Sequence, residues 1–210
     1  RLVPQSFYYF YAVTQLDSDR SPIISVPSGN FGNLTAGLIA KKMGLRIHRF
    51  IAATNRNDVF PEYLQTGVMR PRPSVPTISN AMDVGNPSNF ERMLHLYRDQ
   101  LSMSKDIFAS SSSDDETRKC IAEVYQQTKY VLDPHGAVAY SGIQKYKDHF
   151  SENYPYIFLE TAHPAKFADS VEAEIGRKVE MPPRLAACLQ QSESVTLIGT
   201  DYQEFKSFLL

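Results

Sequence analysis

Tryptophan is missing from this 210-residue chain, cysteine occurs only twice, and neither sign of charge dominates. Cys120 and Cys188 form no Cys-x-x-Cys pair and lie near no run of histidines, which argues against a zinc site and a disulfide framework. Cys120 falls inside a helical pattern and is predicted to pack in the core. A net charge of −1 provides no electrostatic footprint for nucleic acid or an anionic membrane, so neither is expected as a partner.

Long apolar runs are also missing. No stretch approaches the roughly 18–20 apolar residues that span a bilayer. Residues 1–5 lack the apolar core and cleavage site of a signal peptide, so a reducing, cytoplasmic setting is expected. The chain has no initiator methionine and starts inside an aromatic segment, residues 6–16, that is predicted to be helical. We therefore expect it to have been cut from a longer protein.

A strand–turn–helix–strand pattern occupies residues 23–53. The apolar run 23–26 between two prolines predicts a buried strand. A turn with two glycines follows at 28–33, and helically spaced apolar residues then run to Gly44, which is typical of a helix C-terminus. Residues 46–53 predict a second strand. This order indicates a βαβ unit, whose strands are parallel and whose crossover is right-handed.

Prolines and glycines dominate residues 55–86 and predict a long functional loop, interrupted by a short helix at 59–64. Beyond it, residues 110–113 are interpreted as a solvated loop, and 156–160 predict another strand. Helical patterns follow at residues 88–101, 114–130, 136–150 and 165–175. The end of the chain predicts a short strand at 195–198 and a helix from Tyr202.

The turn at 28–33 is the first candidate site. Gly29 and Gly32 at a strand-to-helix junction let backbone N–H groups crowd around an anion, and the helix N-terminus adds partial positive charge. Ser28, Asn30 and Asn33 add side-chain donors. The turn lacks the G-x-G-x-x-G fingerprint of dinucleotide sites and the Gly-Lys-Ser/Thr of Walker A, so a phosphate monoester is the predicted anion. From spacing alone, a tight turn capped by asparagine remains equally open.

Residues 161–166, Thr-Ala-His-Pro-Ala-Lys, follow a predicted strand at the edge where open α/β sheets bind ligands. The Thr161 hydroxyl could bond a heteroaromatic nitrogen without adding charge, and His163 and Lys166 suit a second anion. Alternatively, Thr161 and His163 only cap a helix that begins near Pro164.

The proline-rich loop contains a third group of polar residues. Asn80, Asp83 and Asn86 could contact a substrate or could hold turns through side-chain hydrogen bonds. His135 is interpreted as a residue that begins a helix after Asp133. The remaining histidines show no metal spacing, and no metal site is predicted.

Five segments together resemble the threonine synthase family and occur in that family's order. They are VPSGNFGNLTAG at 26–37, FIAATN at 50–55, SNAMDV at 79–84, DPHGAVAY at 133–140 and TAHPAKF at 161–167. The resemblance covers most of residues 1–180. It implies an α/β fold with three αβα layers and an open, mostly parallel sheet, as in the large domain of fold-type-II pyridoxal-phosphate enzymes. Residues 1–210 would form the C-terminal part of that cofactor-binding domain, with 55–86 as a loop region inside it.

The family's activity follows as an implication of the resemblance. The full-length enzyme would convert O-phospho-L-homoserine and water to L-threonine and phosphate with pyridoxal 5'-phosphate as cofactor. Thr161 would bond the pyridine nitrogen, while Asn80, Asp83, His163 and Lys166 would contact substrate or support those contacts. The cofactor phosphate would lie on the loop formed by Ser28, Gly29, Asn30, Phe31, Gly32 and Asn33, chiefly on its backbone amides.

One part of the implied site is missing from this chain. The family's Schiff-base lysine belongs to the N-terminal half, upstream of every matching segment, and Lys166 belongs to a different motif. No catalytic residue is therefore predicted here, and the chain alone is expected to be inactive without the N-terminal half as its partner. Two alternatives remain: a phosphate-ester or cofactor-binding domain without activity, and a related fold-type-II dehydratase.

Overall fold

A parallel sheet of four strands, in the order β3-β2-β1-β4, forms the centre of the fold. The computed structural model describes residues 2–192 and 194–210. The strands are β1 (Ile23–Pro27), β2 (Arg49–Thr54), β3 (Ile107–Ser111) and β4 (Tyr156–Phe158). The chain divides after Val179 into a large unit, which contains the sheet, and a small unit, Glu180–Leu210.

Eight α-helices of the large unit lie in the described part of the chain. They are α1 (Leu2–Thr14), α2 (Gly32–Lys42), α3 (Val59–Thr66), α4 (Phe90–Tyr97), α5 (Gln100–Asp106), α6 (Asp114–Thr128), α7 (Pro134–His149) and α8 (Ala168–Ile175). Two 3₁₀ turns occupy Asn80–Met82 and Pro164–Phe167. The small unit contains α9 (Pro183–Leu189) and α10 (Tyr202–Leu209). Within the described residues, no helix combines the length and apolarity needed to cross a membrane.

Both faces of the sheet are covered, which confirms the predicted three-layer αβα architecture. Ile24 and Phe50 point to one face and pack with Leu34 and Leu38 of α2. The alternate residues of the same strands, such as Ile51, join a second cluster on the opposite face together with α7. Strands buried on both faces are nearly continuous apolar runs, and this is why β1 and β2 could be identified from the sequence.

The predicted βαβ unit is confirmed, because β1 and β2 pair in parallel with Ile23 opposite Arg49. Helix α2 ends as predicted: Met43 is its C-cap and Gly44 adopts a φ of 105°, a left-handed conformation that glycine adopts without steric cost. The start of α6 is confirmed as well. Ser113 and Glu116 form a capping box at its N-terminus, a reciprocal arrangement that satisfies two otherwise unpaired N–H groups.

Three predicted elements are wrong. Residues 88–101 form two helices, because Arg98 adopts a φ of 68° after α4 and Asp99 begins α5 by accepting a hydrogen bond from the backbone N–H of Ser102. Residues 110 and 111 belong to strand β3, where they pair with β2. The serine-rich sequence does not indicate a strand, because this pairing depends on a segment distant in the chain. Residues 195–198 form no strand, since no described strand pairs with them and their side chains are exposed.

Candidate functional site

The carboxyl ends of β1 and β4 bring the first two candidate segments to one edge of the sheet. These strands are parallel neighbours with Ser25 opposite Phe158, and Leu159 donates its backbone N–H to the Ser25 carbonyl. Ser28 and Thr161 each lie three residues beyond this pair. The turn after β1 and the segment after β4 therefore leave the sheet side by side, at the edge where α/β folds bind ligands.

The turn at 28–33 ends in a helix N-terminus whose amides are not capped. Phe31 is the N-cap of α2, adopts a left-handed φ of 59° and supplies no side-chain hydrogen bond. The first N–H groups of a helix have no intrahelical acceptor, so those of α2 are available to an anion and carry the positive end of the helix dipole. Burial of the Phe31 ring against Phe60, at a centroid distance of 4.7 Å, offsets the strained backbone.

The two glycines of the turn serve different purposes. A Cβ on Gly29 would lie 2.6 Å from the Cα of Met82, so the turn at Asn80–Met82 can approach only a glycine. A Cβ on Gly32 would meet nothing nearer than Asn89 Nδ2 at 3.6 Å and Gln5 Oε1 at 3.7 Å. These distances, and 3.9 Å to Leu2 Cδ2, are ordinary van der Waals contacts, so the space beside Gly32 is bordered by protein atoms without being overfilled. The lack of a side chain at Gly32 lets a phosphate approach the backbone amides.

The side chains of the turn are held by neighbouring segments. The Ser28 hydroxyl is buried and donates to the Val26 carbonyl at 2.8 Å, and its contact to the phosphate remains a prediction. Asn30 accepts from the Ser88 backbone N–H at 2.6 Å and donates to the Ser88 hydroxyl at 3.0 Å. The Asn33 Oδ1 accepts from the Tyr9 hydroxyl at 2.8 Å. Backbone amides therefore remain the principal donors of this turn.

Gln5 is a member of the site that the sequence did not indicate. Its Oε1 is buried and makes no hydrogen bond within the described part of the chain. Because a glutamine amide presents an acceptor and a donor on opposite sides, rotation would direct its N–H groups toward Gly32. The sequence signal is weak: a glutamine near the start of a helical segment that is largely aromatic and apolar.

Thr161 lies on an open cleft of about 650 Å³ that also reaches the turn. The volume is within the usual range for a small-molecule site, about 300–1,000 Å³. The Thr161 side chain is exposed, and its hydroxyl makes no hydrogen bond to any described residue. The cleft is lined by Gln5, Phe7, Tyr8, Tyr11, Asn33, Leu159, Glu160 and Thr161.

His163 and Lys166 lie just beyond the cleft-lining segment. The His163 Nδ1 accepts from the backbone N–H of Ala165 at 3.2 Å and caps the 3₁₀ turn there, which is the alternative considered from the sequence. Lys166 is exposed. Their contacts to substrate remain predictions.

Asp83 ties the proline-rich region to the end of β2. Its Oδ1 accepts from Asn55 Nδ2 at 2.8 Å, from Thr77 Oγ1 at 2.7 Å and from Asn57 Nδ2 at 3.2 Å. This structural role occupies the carboxylate that was predicted to contact substrate. Asn80 is exposed and begins the turn that touches Gly29. A substrate contact remains a prediction for both residues.

A buried aspartate and a half-buried glutamate, Asp133 and Glu160, form an acidic pair beside the cleft that was not expected from the sequence. Asp133 caps α7 by accepting from the His135 backbone N–H at 2.8 Å, and its Oδ1 lies 2.6 Å from His135 Nδ1. Burial first, and then the neighbouring Asp133, raises the pKa of Glu160 to about 9. Burial also opposes ionisation of Asp133, but hydrogen bonds from His135 and Glu160 outweigh it and lower the Asp133 pKa. His135 begins the helix, as predicted.

Comparison with protein families identifies two regions. The family model described as "Pyridoxal-phosphate dependent enzyme" matches residues 6–161. The family model described as "Threonine synthase, C-terminal" matches residues 136–209. Together these matches include the turn at 28–33, Thr161 and both residues of the acidic pair, Asp133 and Glu160.

Several individual proteins resemble the chain over its whole length. It is 41% identical to the threonine synthase of Serratia marcescens and 42% identical to that of Haemophilus influenzae. Both alignments include 100% of this chain, but only 48% of the first protein and 49% of the second. The chain thus spans about half the length of the curated relatives it matches.

Solved structures show the same relation. The crystal structure of threonine synthase from Escherichia coli superimposes with a TM-score of 0.87 at 38% identity, over 99% of this chain and 48% of that one. The structure of threonine synthase from Brucella melitensis with bound pyridoxal phosphate gives 0.85 at 33% identity, over 99% and 50%.

Proposed function

The chain belongs to the pyridoxal-phosphate dependent enzyme family, and from this membership we propose that it is the C-terminal half of a threonine synthase. In the full-length protein it would serve the conversion of O-phospho-L-homoserine and water to L-threonine and phosphate. Its own contribution is the phosphate loop of the cofactor and the contact to the pyridine nitrogen.

The observation that carries this proposal is the uncapped N-terminus of α2 at Gly32. The N-cap residue Phe31 supplies no side-chain hydrogen bond, so the first amides of the helix are available to an anion, and a Cβ on Gly32 would meet no atom nearer than 3.6 Å. Gln5 and Asn33 line the cleft that continues to Thr161. The residues present therefore fit a phosphate attached to a heteroaromatic ring.

Each group of the site has a separate task. The amides of Gly32 and Asn33 bind the phosphate and anchor the ring, while Asn89 and Gln5 border the same space. The Thr161 hydroxyl bonds the ring nitrogen without introducing charge, so it does not enforce protonation of that nitrogen as a carboxylate would. When bound, pyridoxal phosphate supplies an electron-withdrawing ring that stabilises negative charge on the substrate.

The reactive lysine is assigned to the N-terminal half of the full-length protein. The described residues that line the cleft include no lysine, and an activated, desolvated amine is what a covalent cofactor linkage needs. We therefore assign binding and orientation to this chain, and covalent attachment of the cofactor to the remainder.

The proposal is tested on the full-length protein. Cofactor affinity is measured by absorbance, and phosphate release is followed with O-phospho-L-homoserine in parallel with deamination of serine and threonine. We expect cofactor binding and phosphate release from phosphohomoserine. Deamination of serine or threonine without phosphate release would instead identify a dehydratase, and cofactor binding without either reaction would leave only the binding role.

A further inference from the structure

Two buried polar side chains, Asp133 and His135, and the half-buried Glu160 meet beside the cleft where β4 leaves the sheet. Asp133 and His135 are almost fully enclosed, with exposures of 0% and 3%, and the His135 ring packs on Phe167 at 5.0 Å. Each residue has one buried atom that makes no hydrogen bond to the described residues: Asp133 Oδ2, His135 Nε2 and Glu160 Oε1. Native interiors seldom leave three such atoms together, so the cluster demands an explanation.

A shared proton explains the two carboxyl groups. Two carboxylates can only accept hydrogen bonds, whereas a protonated carboxyl can donate one to its neighbour. The Glu160 carboxyl lies against the side chain and backbone of Asp133. Among the described residues, the other titratable groups near it are His135, which bonds Asp133, the more distant Tyr130, and Tyr8 and Tyr11 of α1, which line the same cleft. With one proton between them, Glu160 donates, Asp133 remains anionic, and His135 Nδ1 bonds the other Asp133 oxygen.

The Glu160 side chain also holds the backbone that carries Thr161. Pairing of β4 with β1 ends at Phe158, and the next backbone bond is from Leu159 to Ser25. Among the described backbone contacts outside regular elements, none involves Glu160 or Thr161. A Cβ on Gly136 would collide with the Glu160 carboxyl, which therefore lies directly against the N-terminus of α7. Both Glu160 and Thr161 line the cleft.

We propose that Glu160, as a protonated acid bonded to Asp133, is a positioning residue that sets Thr161 at the height of the cofactor's pyridine nitrogen. The inference rests on the proposed function of Thr161. Capping of α7 by Asp133 does not account for the pair, because the cap uses only Asp133 Oδ1. The contact of Glu160 with Asp133 therefore has a separate role.

The test uses full-length protein and compares wild type with Glu160→Gln, Glu160→Ala and Thr161→Val. Gln is nearly isosteric and keeps a donor toward Asp133, while Ala removes it. The dissociation constant of pyridoxal phosphate and the absorbance of the bound cofactor are measured from pH 7 to 10. Thermal unfolding at pH 7 verifies that each variant is folded.

Wild type should lose cofactor affinity by about tenfold as pH rises past the Glu160 transition, because two adjacent buried carboxylates then repel each other. Glu160→Gln should bind as well as wild type at pH 7 and lack this alkaline loss. Glu160→Ala should bind about tenfold more weakly at every pH, and this deficit should vanish in the Thr161→Val background.

Equal pH profiles for wild type and Glu160→Gln would overturn the inference while leaving cofactor binding intact. So would a Glu160→Ala deficit that persists unchanged in the Thr161→Val background, since Glu160 would then act independently of Thr161. Failure of the wild-type full-length protein to bind the cofactor would overturn the proposed function itself, and this inference with it.

Discussion

The Tyr9 hydroxyl lies 2.9 Å from the carbonyl oxygen of Asn33 and 2.8 Å from its Oδ1. Tyr9 is fully buried in α1, and burial raises its pKa well above the usual value. Its ring also packs edge-on against Phe50, with centroids 5.8 Å apart. This single side chain ties α1 to the first turn of α2 and to the centre of the sheet, and it sets the distance between Gln5 and the phosphate turn.

Tyr9→Phe is expected to lower the free energy of unfolding by about 1–2 kcal/mol, because it removes the hydroxyl hydrogen that the carbonyl oxygen and Oδ1 of Asn33 share. Cofactor affinity should fall with it, since the first turn of α2 loses its support. Urea unfolding of the full-length protein measures the first effect. Tyr8→Phe, which alters an exposed residue of the same helix, is the control and should change stability by less than about 0.5 kcal/mol.

The two turn glycines should separate folding from binding. Gly29→Ala forces a Cβ into the Met82 backbone and is expected to cost about 1–3 kcal/mol of stability. Gly32→Ala should be neutral or slightly stabilising, because alanine favours the helix, yet it should weaken pyridoxal phosphate binding by about tenfold or more. Paired urea titrations and cofactor titrations decide this. Unchanged cofactor affinity in Gly32→Ala would remove Gly32 from the phosphate site.

Gln5→Ala is expected to weaken cofactor binding by about tenfold with little change in stability, because it removes a polar group that borders the phosphate space. Titration of the full-length apoprotein with pyridoxal phosphate measures the effect. Gln15→Ala alters an exposed glutamine just beyond the same helix and should bind like wild type. If the two variants bind equally, Gln5 has no part in the site.

Asp83→Asn should loosen the region between α3 and α4, because Oδ1 of the carboxylate accepts from Asn55 and Asn57 while Oδ2 accepts from the Thr77 backbone N–H. A neutral amide offers one acceptor where the carboxylate offers two, so we expect a loss of about 1–3 kcal/mol and faster proteolytic cleavage near Thr77. Limited proteolysis with mass spectrometry detects the cleavage. The exposed substitution Asp17→Asn serves as control, and equal cleavage rates would contradict the structural role of Asp83.

The raised pKa of Glu160 predicts a pH dependence of stability. An unfolded chain releases this proton near the usual pKa of 4.5, whereas the folded chain retains it until a pKa of about 9. Because the folded state binds more protons between these values, its stability falls as pH rises from about 5 to 9. The free energy of unfolding is measured with denaturant for wild type and for Glu160→Gln at each pH, and the difference between the two isolates this contribution. A difference that is flat over this range would show that Glu160 is not protonated in the folded state.

Local patterns were sufficient for much of the fold and for the location of the phosphate turn. The buried strand at Ile23–Pro27, the glycines that follow it and the helix that ends near Gly44 each depend on residues adjacent in sequence. The first residue of α6 is likewise set by the local capping pair of Ser113 and Glu116. The order of five motifs then indicated the family.

By itself, then, the sequence determined the βαβ unit, the glycine turn and the family, because helical and strand periodicity and turn chemistry are interactions between near neighbours. Only the tertiary structure decided that Ser28 faces inward, that Gln5 borders the phosphate space and that β3 extends through Ser111. It also brought Glu160 against Asp133. These outcomes depend on packing between residues distant in the chain, and the burial that changes a pKa exists only once those residues have met.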